Sequence, residues 1–153
     1  MKQETQVFFI DRTIEVEIKI TIKKEDNIYF AYVYDELGQS TRKLECWLED
    51  ENLYTEECNT DQEYDCVIDC FRAFIVENGT KYARQCTCCG KGMNKGYFAE
   101  YEYFCSDSCL YTEFAPAIWE SVAQEESDTH YWTEWETEED FEYVLFENKL
   151  ITI

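Results

Sequence analysis

Two close cysteine pairs carry the chemistry this chain announces most clearly. Cys86-Thr-Cys-Cys89-Gly90 and Cys105-Ser-Asp-Ser-Cys109 are separated by the fifteen residues from Gly90 to Phe104. Each pair is short enough to hold both sulfurs on one side of a tight turn, and the segment between them can fold back as a hairpin. That spacing matches four thiolates closing a tetrahedron around one structural Zn2+. Gly90 supplies the backbone freedom that a knuckle turn needs. Cys88 lies between the first two ligands, so position alone leaves Cys86 with Cys88 open; Cys-x-x-Cys-Gly spacing favours Cys86 with Cys89 and leaves Cys88 a bystander thiol. A disulfide framework is the rival reading. It requires an oxidising compartment, and the chain opens with Met-Lys-Gln-Glu-Thr and no apolar signal segment, which points to a cytoplasmic protein.

The same stretch resembles a known family. Cys86-x2-Cys89-Gly90-Lys91, then Tyr103-Phe104-Cys105-Ser106 with Cys109 and Phe114, is similar to the treble-clef zinc fingers of the TRASH and MYM type, over residues 84 to 116. The resemblance implies a first pair in a zinc knuckle and a second pair at the start of a helix, with Cys86, Cys89, Cys105 and Cys109 as the ligands. It also implies metal sensing or protein contact as the kind of task. A four-thiolate shell has no open position for a substrate, so hydrolytic zinc chemistry is not expected.

Composition narrows the task further. At 153 residues, 45% of them apolar, the chain can bury a core, and no apolar run is long enough to cross a membrane as a helix. The formal charge is −21, and four zinc-bound thiolates with one Zn2+ take it to about −23. Ten acids and no Lys or Arg lie from Leu44 to Phe71, and fifteen acids with none from Gly96 to Asn148. Lys81, Arg84, Lys91 and Lys95 instead form a basic strip around the knuckle, where cations offset the thiolate charge. With 17% aromatic residues the acidity is not that of a disordered segment.

Around the finger, periodicity predicts an α+β protein. Ile14, Val16, Ile18, Ile20 and Ile22 alternate with polar residues as a half-buried strand. A turn at Glu25-Asp26-Asn27 leads to a second strand, Ile28 to Asp35, with Ile28, Phe30, Tyr32 and Tyr34 on one face. A third strand, Thr41 to Glu49, places Leu44, Cys46 and Leu48 together. The capping box Thr60-x-x-Glu63 opens a helix with Tyr64, Val67, Ile68, Phe71, Phe74 and Ile75 on one side, ending at Asn78-Gly79. Residues 1–80 therefore read as an antiparallel β-β-β-α domain in which the helix covers the sheet. Residues 81–126 read as the treble-clef finger with a following helix, Ser106 as its cap and Pro116 breaking or starting a helix. Residues 127–153 read as aromatic, acidic C-terminal strands: Thr129 to Trp135, Phe141 to Phe146 as strand or short helix, and Leu150 to Ile153. Tyr131, Trp132, Trp135 and Phe141 suit either a core or a contact surface. Cys66 and Cys70, one helical turn apart, pack as small apolar groups or join Cys58 in a second metal site.

No phosphate-cradling loop or dinucleotide fingerprint is present, and the lone His130 stands beside no nucleophile, so an enzyme is not expected. The leading expectation is a zinc-stabilised acidic interaction module that docks on a basic protein surface. Glu49, Asp50, Glu51, Glu56, Glu57, Glu134, Glu136, Glu138, Glu139 and Asp140 are its contact residues. In its sharpest form it mimics nucleic acid and inhibits a DNA- or RNA-binding enzyme, as a phage or mobile-element protein would. About twenty charges correspond to roughly 35 Å of duplex, and a compact chain of this length has a radius of gyration of about 15 Å, a comparable span. A second class is a metal- or redox-responsive regulator using Cys58, Cys66, Cys70 and Cys88. A third is direct nucleic-acid contact through Lys81, Arg84, Lys91 and Lys95, which the overall charge opposes.

Overall fold

The computed structural model describes residues 1–9, 17–35, 37–136 and 140–153, which form two compact units, Met1–Gly79 and Thr80–Ile153. The fold is mixed α+β, with three helices among the described residues, none long and apolar enough to cross a membrane.

The first unit is a five-stranded antiparallel meander closed by one helix. Strands β1 (Glu4–Phe9), β2 (Glu17–Glu25), β3 (Ile28–Tyr34), β4 (Ser40–Glu49) and β5 (Asn52–Thr55) lie in chain order, and α1 (Asp61–Asn78) follows. Two strands are thus added to the three anticipated: β1 pairs along β2, and β5 returns from β4 through a turn at Asp50, whose φ is +55°. Residues 14–16 of the anticipated first strand lie outside the described residues. Hairpin geometry bears out the turn at Asp26-Asn27, where two consecutive residues at φ +49° and +66° match the right-handed twist of the flanking strands.

Ile18, Ile20 and Ile22 are buried, as their alternation predicts. On β3 the four residues grouped from the sequence do share a face, and it is the outward one. Tyr29, Ala31 and Val33 are buried, whereas Ile28 is exposed and Phe30, Tyr32 and Tyr34 are half-buried. Both faces of that strand are apolar in composition, and the small Ala31 lies on the buried one. Lysines cover the outward rings, with Lys43 Nζ 4.1 Å from the Phe30 centroid and Lys23 Nζ 5.0 Å from that of Tyr32. Thr60 caps α1 by accepting from Glu63 N at 3.1 Å. Val67, Cys70, Phe71, Phe74 and Ile75 form the buried stripe of the helix, and Tyr29 meets Phe71 and Phe74 at 5.6 and 5.5 Å between centroids. Arg42 on β4 forms an ion pair with the buried Glu63 of α1, fastening sheet to helix.

The second unit contains β6 (Thr80–Tyr82), β7 (Arg84–Gln85), β8 (Gly92–Met93), β9 (Lys95–Ala99), β10 (Glu102–Phe104), α2 (Asp107–Glu113), α3 (Pro116–Glu125), β11 (His130–Glu134), β12 (Tyr143–Phe146) and β13 (Lys149–Thr152). The strands after residue 127 pair with earlier ones: β11 adds to the β9–β10 hairpin, and β12 joins β6 to β13. Phe141 to Phe146 resolves as strand from Tyr143 onward. Pro116 starts α3 at its first turn, where a missing N–H costs nothing. A small core of Ala99, Phe104, Leu110 and Trp119 holds the hairpin against both helices. Gly96 is required there, since a Cβ would lie 2.5 Å from the Phe104 carbonyl oxygen.

Candidate metal centre

Three local devices bring the four predicted cysteines together. The first is the knuckle between β7 and β8: Cys86 N donates to Lys91 O at 2.8 Å and Gly90 N to Cys86 O at 2.9 Å. This tight return needs Gly90 at φ +77°. The second is the β9–β10 hairpin, which delivers Cys105 and is tied to the knuckle by Thr87 N to Tyr103 O at 2.7 Å. The third is the start of α2. Ser106 is its N-cap, accepting from Cys109 N at 3.3 Å, so Cys109 faces back toward Cys105.

The resulting geometry could hold a metal ion. One sulfur from each of Cys86, Cys89, Cys105 and Cys109 lies within 4.8 Å of the others. The Cys89–Cys105 and Cys105–Cys109 sulfurs are 3.6 and 3.7 Å apart. A Zn–S bond of about 2.3 Å sets the edge of a tetrahedron at about 3.8 Å, whereas a disulfide would need about 2.05 Å. All nine cysteines are free thiols. These four can hold a metal ion as a zinc-finger-like site, and their soft sulfur donors favour zinc.

Electrostatics fit the same role. Burial raises the Cys86 thiol, but N–H groups of Cys89, Cys105 and Cys88 point at its sulfur and, with the Cys89 thiol, bring it down to about 7. Burial and the neighbouring Cys89 thiol push Cys105 up. At Cys109 the Ser106 hydroxyl favours the thiolate, yet burial and the crowd of thiols from Cys105, Cys86 and Cys88 prevail and push it up to about 12. The metal-free cluster therefore keeps protons that an ion must displace. Zinc affinity should rise at least tenfold per pH unit from about pH 6 to 8, through release of one or more protons. Competition against a chromophoric chelator at several pH values measures this; an affinity flat across that range contradicts it. Gly90→Ala forces a Cβ into the left-handed region at about 1–2 kcal/mol. It should lower the zinc affinity about tenfold in the same assay while α1 and its sheet keep their thermal transition.

Cys88 is exposed and outside the cluster, although Thr112 Oγ1 lies 3.5 Å from its sulfur. The second site considered for Cys58, Cys66 and Cys70 does not form. Among the described residues the groups of ligand-type side chains close enough for an ion are the four cysteines and a separate trio, Glu100, Glu126 and His130. Cys70 is instead fully buried with its sulfur 3.5 Å from Ile20 O, and burial pushes it up to about 12.

Of the basic strip, Arg84 is engaged within its own unit. It lies 3.7 Å from Asp140 and 3.5 Å from Glu142 and stacks near Tyr103 and Trp135. Lys81 covers Phe141 at 5.0 Å. Lys91 and Lys95 line an open cleft of about 700 Å3 that also touches Tyr82, Trp135 and Cys105. Among the acids proposed for contact, Glu49, Asp50, Glu51, Glu56 and Glu57 are exposed around β5 in the first unit. Glu134, Glu136 and Asp140 are exposed in the second, and Glu138 and Glu139 lie outside the described residues. Tyr131 and Trp132 are 41% and 48% exposed, so they pair with Phe98 and Tyr97 on a sheet surface instead of filling a core.

Comparison with protein-family models, with curated proteins and with solved structures finds no match to this chain.

Proposed function

We propose that this protein is a non-enzymatic, zinc-stabilised interaction module of the treble-clef kind, whose acidic surface docks on a basic surface of another protein. The observation that carries the reading is the four-cysteine cluster, which would give a small, strongly acidic chain a rigid support. Knuckle, hairpin and capped helix follow in the order that the TRASH and MYM resemblance implies. The formal charge of −21 gives the electrostatic half of the reading. Nucleic-acid mimicry is its sharpest form: carboxylates on a rigid scaffold compete for the groove of a DNA- or RNA-binding enzyme and gain on-rate from electrostatic steering.

The test is a pull-down from lysate at low ionic strength with a high-salt wash, followed by affinity measurements on the captured partner. Dissociation constants should rise roughly tenfold between about 50 and 200 mM salt, because Debye screening shortens from about 14 to 7 Å over that range. Glu49→Gln/Asp50→Asn/Glu51→Gln and Glu134→Gln/Glu136→Gln should each weaken the complex, and a duplex oligonucleotide should compete with it. An affinity that ignores salt and these substitutions rules the reading out.

Metal-responsive regulation is the second reading, and the Glu100, Glu126 and His130 trio is the observation that favours it. Of the spare thiols, Cys58, Cys66 and Cys70 support a redox version less well, since burial raises them and so keeps them in their unreactive protonated forms, which leaves it to the exposed Cys88.

A further inference from the structure

The only histidine of the chain lies between two glutamates that come from different elements. His130 begins β11, with its side chain 2% exposed and its ring 6.0 Å from Phe114 and 5.9 Å from Trp119 between centroids. Glu100 comes from the β9–β10 turn and Glu126 from the C-cap of α3. Backbone hydrogen bonds fix all three segments to one another: Glu100 N to Thr129 O at 3.0 Å, Thr129 N to Glu126 O at 3.1 Å and Glu126 N to Val122 O at 2.7 Å.

The two ring nitrogens meet different partners. Nδ1 lies 3.3 Å from the Glu126 carbonyl oxygen, which can only accept, and 2.9 Å from Thr129 Oγ1. With a proton on Nδ1, donated toward these oxygens, the ring would present the lone pair of Nε2. Among the described residues that nitrogen has no hydrogen-bond partner, and it faces Glu100, whose Oε1 is 4.0 Å away. Glu126 Oε2 approaches the ring at 3.7 Å from the Nδ1 side. One ring nitrogen and one oxygen from each carboxylate lie within 4.8 Å of one another. Metal-bound histidines characteristically donate their second ring N–H to a backbone carbonyl, and the Glu126 carbonyl oxygen stands 3.3 Å from Nδ1 in position to accept it.

We propose that Glu100, Glu126 and His130 form a second metal site, distinct from the four cysteines, for a first-row divalent transition-metal ion. Imidazole with two carboxylates is a nitrogen and oxygen donor set; the nitrogen selects zinc or its neighbours over calcium and magnesium. The ion takes Nε2 and Glu100 directly. Glu126 closes onto it by rotating an exposed side chain, since Glu100 and Glu126 are 67% and 58% exposed and free to adjust. Two carboxylates brought this close in a chain of charge −21 repel each other, and a dication between them removes that repulsion. Occupancy ties the β9–β10 turn to the end of α3 and the start of β11, so the ion stiffens that corner of the unit. Three protein ligands leave positions to water, which makes this ion exchangeable where a closed four-thiolate ion is not.

The site is tested on the full-length protein by equilibrium dialysis against Zn2+ with elemental analysis, alongside NMR of the imidazole, whose signals are unambiguous because there is one histidine. The comparison variant is Glu100→Gln/Glu126→Gln, which changes exposed groups and keeps the packed ring. Wild type should hold one more zinc per chain than this variant, whatever the cysteines bind. Saturating Zn2+ should shift the Nε2 resonance while Nδ1 stays protonated, with at least tenfold weaker affinity in the variant. Equal zinc counts in the two proteins overturn the proposal, and so does an imidazole spectrum that saturating Zn2+ leaves unmoved. His130→Gln should abolish the extra ion as well, and the double variant decides the matter should that substitution unfold the unit.

Discussion

Cys105→Ser is expected to unfold Thr80–Ile153 while Met1–Gly79 stays folded. Structural zinc contributes about 10–16 kcal/mol of apparent binding free energy in finger peptides, which matches or exceeds the whole stability of an ordinary domain at about 5–15 kcal/mol. Against such a loss the second unit sets two small groups of buried residues, one of them Val144, Phe146 and Ile151 on β12 and β13. The other is the cluster of Ala99, Phe104, Leu110 and Trp119, and Cys109 packs directly against it. Knuckle, hairpin and α2 converge at the four sulfurs, so losing the ion releases three elements together. The first unit has its own core, with Ile20, Ile22, Val67, Phe71 and Ile75 fully buried. Hydrogen exchange separates the outcomes. Amides of Tyr97, Phe98 and Phe104 should lose protection in the variant, or in wild type stripped by a chelator, while those of Ile20, Ile22 and Ala31 keep it. Trp119, Trp132 and Trp135 lie in the second unit and Trp47 in the first, so fluorescence should report a large, partial transition. Unchanged protection throughout after metal removal would mean that the cluster holds no structural ion.

What could be read from the chain follows the range of each signal. The two cysteine pairs, the Ser106 cap, the Thr60 cap and the alternation of Ile18, Ile20 and Ile22 are each local patterns within one turn or one strand, and each reappears in three dimensions. Strand β1 was not anticipated, because Glu4-Thr-Gln-Val-Phe-Phe has a weak alternation that only pairing with β2 makes decisive. Strand β5 is four residues long and forms because β4 offers it an edge. The inward face of β3 depends on what packs beneath it: Phe71 and Phe74 accept Tyr29, and composition alone cannot choose between two apolar faces. The pairing of β11 with β9 joins residues more than thirty apart and leaves no trace in either strand. The histidine site has the same origin. Glu100, Glu126 and His130 are unremarkable in sequence and meet only because a turn, a helix end and a strand start converge.

Arg42→Ala is the second large effect, and it arises from one such long-range pairing. Glu63 is an acid in an acidic run, yet its side chain is 7% exposed and the guanidinium of Arg42 lies against it. Arg42 is 25% exposed and also donates to Glu57 O at 3.1 Å, so it links β4 to the segment leading into α1. A buried pair adds little over apolar packing, but removing one partner strands a charge at about 3–5 kcal/mol. The helix start offers Glu63 some relief, because carboxylates are favoured by up to about 1 kcal/mol near helix N-termini. The net loss is then about 3 kcal/mol, which lowers the midpoint of a unit this size by about 10–20 °C. The double variant Arg42→Leu/Glu63→Leu should recover most of that loss, since it removes both charges and leaves apolar groups of similar size. Thermal unfolding followed through the first unit distinguishes the cases. A single variant within about 0.5 kcal/mol of wild type would mean that water reaches Glu63 and screens it. A double variant as unstable as the single one would place the energy in the hydrogen bond to Glu57 and not in the ion pair.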